Sequence, residues 1–309
     1  MSEGDERTAR LVGREQAVQA SPMSGEAWAE LGEAYAEMGQ HELAVTALRR
    51  ATKLEESRPW AWYQLSLSLA ELDEREEALH AARMAVAHTA DRDSFWMRVN
   101  LGRHLLRGGR PHEAVRQLEE ANRRVPQGRR AVGLLGVAYF RVEQYGAAAE
   151  CLEDSLRWDP DDPVRWACLG ASLDETGRRE GAVFALETAV FGAPDYAWAW
   201  GRLGKALRAL GRHEEAVRAF EKSVEHGFAP PVLWSDMGDS AAEVRDVGRL
   251  RRACRELSRL DAAMAKPLRR RLRSLLAEER TQASGARPPG RLCRPGAAPE
   301  VSDGAGPTS

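Results

Sequence analysis

Residues Trp200 to Val224 read WGRLGKALRALGRHEEAVRAFEKSV. Trp200, Leu203, Leu207 and Leu210 fall on one face of a helix, because residues three and four apart are neighbours there. Gly211 supplies a stop signal. Ala216, Phe220 and Val224 then form the apolar stripe of a second helix, antiparallel to the first. Gly204 is the anomaly, since a glycine inside a helix costs about 1 kcal/mol relative to alanine.

The anomaly recurs. Steps of 34 residues from Leu203-Gly204 reach Leu169-Gly170, Leu135-Gly136, Leu101-Gly102 and, forward, Met237-Gly238. Leu31-Gly32 and Leu65-Ser66 keep the same spacing, displaced by a two-residue insertion near Thr89–Arg92. Seven units result: 25–58, 59–92, 95–128, 129–162, 163–196, 197–230 and 231–264. Position 4 is tryptophan in Trp28, Trp62, Trp166, Trp200 and Trp234. Position 20 is alanine in Ala44, Ala78, Ala114, Ala148, Ala182 and Ala216. Position 24 is mostly large, as in Leu118 and Phe220; position 27 is small, from Ala51 to Ser223; Pro126, Pro160 and Pro194 close three units. Small residues at positions 8 and 20 let two helices approach closely, and the large ones fill the space around them. The last unit departs from the pattern, with Leu250 for the position-20 alanine and Ala241 at position 11, so it should be helical but irregular.

The pattern W-x2-L-G-x2-Y/L, then A, F/L, A/S and P, resembles the tetratricopeptide repeat family over residues 25–264. The resemblance implies an all-α, right-handed superhelical solenoid of about seven helix-turn-helix repeats. Residues 1–24 form an N-terminal segment in which a short helix over 6–20 would cover the first repeat. Residues 265–281 carry Leu268, Leu272, Leu275 and Leu276 on one side and arginines on the others. A capping helix is the simplest reading, and a basic helix for membranes or nucleic acid the alternative. The tail 282–309 is rich in Gly, Pro, Ala and Ser and is expected to be disordered.

Composition excludes several classes. With 309 residues, 43% hydrophobic and 30% charged, the chain has the make-up of a water-soluble protein. A net charge of -2 makes no electrostatic case for a nucleic-acid or membrane partner. MSEGDERTAR has no apolar core, so no secretory signal is expected, and no apolar run is long enough to span a bilayer. Cys151, Cys168, Cys254 and Cys293 form no CxxC pair, which fits reduced thiols in a cytoplasmic protein.

Motifs for chemistry dissolve into the repeat. His41-Glu42, His112-Glu113 and His213-Glu214 suggest zinc, but HExxH requires a second histidine where Val45, Arg116 and Val217 stand. These pairs open second helices, where glutamate suits the dipole. GRLGKA (201–206) lacks phosphate-loop spacing. Catalysis, metal and cofactor are therefore not expected.

In the family, positions 2, 5, 6, 9, 12 and 13 point into an inner groove. The first unit then offers Glu26, Glu30, Glu33 and Glu37; the second Trp60, Tyr63, Gln64, Leu67 and Glu71. The third offers Trp96, Asn100, Arg103 and Arg107; the fourth Arg130, Phe140 and Arg141. The fifth offers Ala167, Cys168, Asp174 and Glu175; the sixth Trp198, Arg202, Lys205 and Arg208; the seventh Asp236, Asp239 and Glu243. The groove reads as zoned in charge, with Trp60, Tyr63 and Trp96 as anchors and Arg103, Arg107, Arg130 and Arg141 to meet carboxylates. The competing reading is that these residues stack on neighbouring repeats or stay solvated. One subfamily clamps a chaperone's C-terminal carboxylate with Lys and Asn at positions 5 and 9, then Asn at 6 of the next unit. Tyr63 and Leu67 precede Asn100 here, so that reading is rejected.

The expectation is a non-catalytic scaffold or adaptor that binds a protein or peptide partner in the groove. Neither nucleic acid nor membrane is expected as partner, and self-association through the end faces is left open. Alternatives are a peptide-sensing regulator, for which 24 residues before the first unit leave no room for an output domain, and a non-catalytic subunit of an enzyme complex.

Overall fold

A computed structural model describes residues 3–90, 94–125 and 128–285. Helix α1 (Glu3–Ala20) precedes seven helix pairs. They are α2 (Gly25–Glu37) with α3 (His41–Leu54), α4 (Pro59–Glu71) with α5 (Arg75–Ala87), α6 (Ser94–Arg107) with α7 (Pro111–Arg124), and α8 (Arg129–Arg141) with α9 (Tyr145–Leu156). Then come α10 (Pro163–Glu175) with α11 (Arg179–Gly192), α12 (Ala197–Ala209) with α13 (His213–Glu225), and α14 (Pro231–Glu243) with α15 (Val247–Leu260). Helix α16 (Ala265–Gly285) closes the order, and no strand occurs among the described residues. The protein is thus an all-α repeat solenoid. The insertion near Thr89–Arg92 falls between α5 and α6, with 91–93 outside the described residues, as is Pro126. Helix α16 runs to Gly285 rather than to 281, and the remainder of the tail, from 286, lies outside the described residues. Thr281, Gln282, Ala283 and Ser284 contain no breaker; the first proline is Pro288.

The glycines of position 8 are contact points. A Cβ on Gly32 would lie 2.5 Å from Leu48 Cγ, on Gly102 2.6 Å from Leu118, on Gly136 2.7 Å from Leu152, on Gly170 2.6 Å from Leu186 and on Gly204 2.6 Å from Phe220. Each partner is position 24 of the same repeat. The alanines of position 20 (Ala44, Ala78, Ala114, Ala148, Ala182, Ala216) are fully buried beside them. Repeat two follows the same rule in reverse: Ser66 stands in place of the glycine, and position 24 shrinks to Ala82.

Each pair turns at position 15 in a left-handed conformation. Gly39, Gly109, Gly177 and Gly211 take φ of 69–82°, while Asp73, Glu143 and Arg245 take 58–63° at the equivalent place. The next amide reaches back to a carbonyl five residues earlier in every repeat, from Gln40 N to Tyr35 O to Asp246 N to Ala241 O, as a Schellman turn requires. The position-4 tryptophans do more than fill space. Trp28, Trp62, Trp166 and Trp200 donate their indole N–H to the carbonyls of Pro22, Glu56, Pro160 and Pro194, at 2.7–2.9 Å, fixing the turn that precedes each of those four repeats.

The residues form two compact units, one through Leu233 and one from Trp234. In the first, α2 touches α4, α4 touches α6, and so on to α12, whereas consecutive second helices make no comparable approach. First helices therefore line the inner side of the curve and second helices the outer. Within the second unit, Leu250 and Ala241 are fully buried and the helices are regular. There Gly238 packs against Leu268 of α16, where a Cβ would lie 2.5 Å from Leu268 Cδ1. The departures from the repeat pattern thus suit packing against α16 rather than distort the hairpin.

Candidate partner-binding face

The acidic end of the inner face is occupied from within. α1 packs Leu11, Ala17 and Val18 against Ala27, Trp28 and Leu31. This brings Arg14 onto Glu30 and Arg10 within 3.6 Å of Glu37. Gln64 donates to Glu33 at 2.9 Å, and Arg58 approaches Glu26 at 3.8 Å. In the second unit Arg271 of α16 binds Asp239 at 2.9 Å and also Glu243.

The basic zone on α12 is likewise committed. Arg202 and Lys205 reach Glu175 of α10 at 3.0 and 2.7 Å, and Lys205 lies 3.6 Å from Asp174. The Lys205 and Arg202 hydrogen bonds pull the Glu175 carboxyl below its usual range. Arg202 also stands 5.8 Å above the Trp198 ring. Arg208 is half-buried on the same helix. A partner carboxylate would have to compete with Glu175 for these cations.

Phe140 and Trp198, from repeats four and six, meet edge to face at 5.9 Å. Tyr145 and Tyr196 join them at 6.0 and 5.9 Å. The small inner residues of repeat five, Ala167, Cys168 and Ala171, let the two larger rings meet. Burial pushes the Tyr196 hydroxyl and the Cys168 thiol each up to about 12, so Cys168 is a packed thiol. Cys151 is likewise raised to about 11 by burial, and Cys254 is raised. Sequence reasoning missed Tyr145 and Tyr196, which sit at positions 17 and 34, outside the inner register.

Between these regions the face is different. Trp60 is 44% exposed and stacks on Tyr63 at 5.0 Å; Trp96 is 46% exposed, with the Arg130 guanidinium 5.4 Å above its ring. Arg103, Arg107, Arg130 and Arg141 form no ion pair among the described residues. Arg141 donates to the Leu106 carbonyl at 3.4 Å, which brings it beside the end of α6. Asn100, expected on this face, is instead buried. Its Nδ2 donates to Ser66 Oγ at 2.6 Å, because a hydroxyl where other repeats carry glycine needs a partner.

The His-Glu pairs stand where helix dipoles explain them: His41 and His213 begin α3 and α13, and Glu113 in the first turn of α7 pairs with Arg83 and Arg110. No helix among the described residues is long and apolar enough to cross a membrane.

Models of the tetratricopeptide repeat match residues 25–68, 99–163 and 197–227. No curated protein matches the chain in sequence. Among solved structures it is similar to YrrB, described as a TPR protein with an unusual peptide-binding site, at 17% identity and TM-score 0.52 over 60% of this chain and 95% of that one. It is similar to a chain of the APC/C hetero-tetramer Cut9–Hcn1 at 16% identity and TM-score 0.57, over 77% of this chain and 46% of that one. It is also similar to PilF of Pseudomonas aeruginosa, at 21% identity and TM-score 0.55 over 75% and 99%. At these identities the likeness is one of fold.

Proposed function

Because the chain belongs to the tetratricopeptide repeat family, whose members serve broadly as protein-interaction scaffolds, we propose that it binds an acidic peptide segment on the inner face of repeats two to four. Trp60, Tyr63 and Trp96 are the apolar anchors. Arg103, Arg107 and Arg141 receive carboxylates, with Arg130 held over Trp96.

One observation carries this reading. Elsewhere on the inner face of the first unit Glu37 and Glu30 are matched by Arg10 and Arg14, and Arg202 and Lys205 by Glu175, whereas Arg103, Arg107 and Arg141 form no ion pair among the described residues. A guanidinium with no carboxylate of its own gives a charge-assisted hydrogen bond to an incoming one without first breaking a pair. Half-exposed tryptophans beside it add the aromatic contact typical of interface hot spots. Peptide binding, reported of YrrB, is consistent with this role. We read the role as non-catalytic, in keeping with the burial that raises the Cys151 and Cys168 thiols. A reducing, cytoplasmic setting suits the free thiols of Cys151, Cys168 and Cys254, the cysteines among the described residues.

The test is affinity capture from the native host with mass spectrometry, comparing wild type with Arg103→Glu/Arg107→Glu/Arg141→Glu. The expected result is loss of a prey while helical circular dichroism is unchanged. Survival of the same preys would remove the inner face from consideration.

A further inference from the structure

The outer side carries a second surface. Divergence of the second helices opens a groove of about 760 Å³ between α11 and α13, floored by α12 through Trp200, Leu203 and Leu207, with Val190 on one wall. Phe191 stands at its edge, 88% exposed. The same depression recurs one repeat earlier, with Leu156, Trp166, Leu169 and Leu173 at the equivalent places, but holds only about 370 Å³. The linings differ at position 29, Phe191 against Arg157, and also at position 22. There Phe184 lines the earlier groove, its ring edge-on to Trp166 at 6.1 Å, whereas the later groove has Arg218.

We propose that the groove between α11 and α13 docks an amphipathic helix whose apolar ridge is bordered by lysine or arginine. Charge decides the border. Glu187, Glu215, Glu221 and Glu225 line the groove against Arg218 and Lys222. Arg212 binds Glu215 and Lys222 binds Glu225, while Glu187 forms no ion pair among the described residues. The rim is therefore negative on balance and favours a cationic partner. Backbone chemistry decides the conformation. An extended segment over this floor would find no backbone partner in the walls, which are helices with satisfied backbones, and could pair its N–H and C=O groups only with water. A helix brings its own hydrogen bonds and lays residues spaced three and four apart into the trough. The side chain of Phe191, nearly free of contacts, gains its burial only when the groove is filled.

This proposal is independent of the inner face, and the experiment separates the two. A phage-displayed library of randomised peptides of about 15 residues, roughly 22 Å of helix, is selected on the full chain, and the survivors are then assayed on variants, Arg218→Phe first among them. That substitution places the phenylalanine of the preceding repeat at the same position and should fold normally. Survivors should carry apolar residues at helical spacing with flanking Lys or Arg. They should lose at least tenfold in affinity on Arg218→Phe, on Phe191→Ser and on Glu187→Arg, and be indifferent to Arg103→Glu/Arg107→Glu/Arg141→Glu. No enrichment, survivors without basic residues, or survivors that bind Arg218→Phe equally well would overturn the proposal. So would sedimentation showing that the wild type self-associates and Phe191→Ser does not, for then a second copy fills the groove.

Discussion

Gly136 and Leu152 sit so close across one helical hairpin that a Cβ on Gly136 would lie 2.7 Å from Leu152 Cγ. On Gly146, nearby in α9, a Cβ would meet nothing within 4 Å. The same substitution should therefore have opposite signs at the two sites. Gly136→Ala is expected to destabilise the protein by about 1–3 kcal/mol through overpacking. Gly146→Ala should stabilise by about 0.5 kcal/mol through helix propensity. Urea unfolding of the two variants checks this, and equal effects would contradict the contact-point role.

The seven turns share one left-handed position, but only four of them have glycine there. Glu143 and Arg245 hold φ of 63° and 58° against the steric preference of residues with a Cβ. Glu143→Gly and Arg245→Gly are each expected to raise stability by about 0.5–1 kcal/mol, the relief of strain outweighing the entropy of glycine. Asp73→Gly should gain less, since Asp tolerates this region better. Thermal unfolding curves report all three.

The buried pair Ser66–Asn100 should behave as a unit. Ser66 Oγ donates to Tyr63 O at 2.6 Å and accepts from Asn100 Nδ2, while Asn100 Oδ1 is buried without a partner. Ser66→Ala alone strands the whole Asn100 amide and should cost about 1–2 kcal/mol. Adding Asn100→Leu should return most of that loss, because apolar replacement of both partners is close to neutral. A double-mutant cycle with no coupling would show that the bond contributes nothing.

His104 makes stability depend on acid. Burial, with Arg103 and Arg107 alongside, lowers its pKa to about 4 from an ordinary value of 6.5. Between those values the unfolded chain binds a proton that the folded chain does not, so stability falls as pH drops through that window and levels below about 4. The contribution is on the order of 3 kcal/mol. Other repeats place Ala or Ser at this position, so His104→Ala should flatten the melting temperature between pH 4 and 6.5 relative to wild type.

The repeat, its helices and its turns were legible because period and packing are local. Position 8 meets position 24 within one hairpin, and the small residues that allow that contact, glycine at position 8 and alanine at position 20, each recur in six of the seven repeats. The candidate surface was legible only in part. Trp60, Tyr63, Trp96, Arg103, Arg107, Arg130 and Arg141 were named from their positions, and among the described residues those arginines form no ion pair. Arg202 and Lys205 were named by the same rule, yet their charge is matched by Glu175.

Sequence by itself determined where helices start and stop and which side chains separate them, because those follow from spacing within about one repeat. Tertiary structure decided which charges remain available, because Arg10, Arg14 and Arg271 reach their carboxylates only once separate helices pack side by side. It also decided that an outer groove exists. A groove is the gap left by diverging second helices, and its lining changes from one repeat to the next, with Arg157 and Phe184 in one and Phe191 and Arg218 in the other.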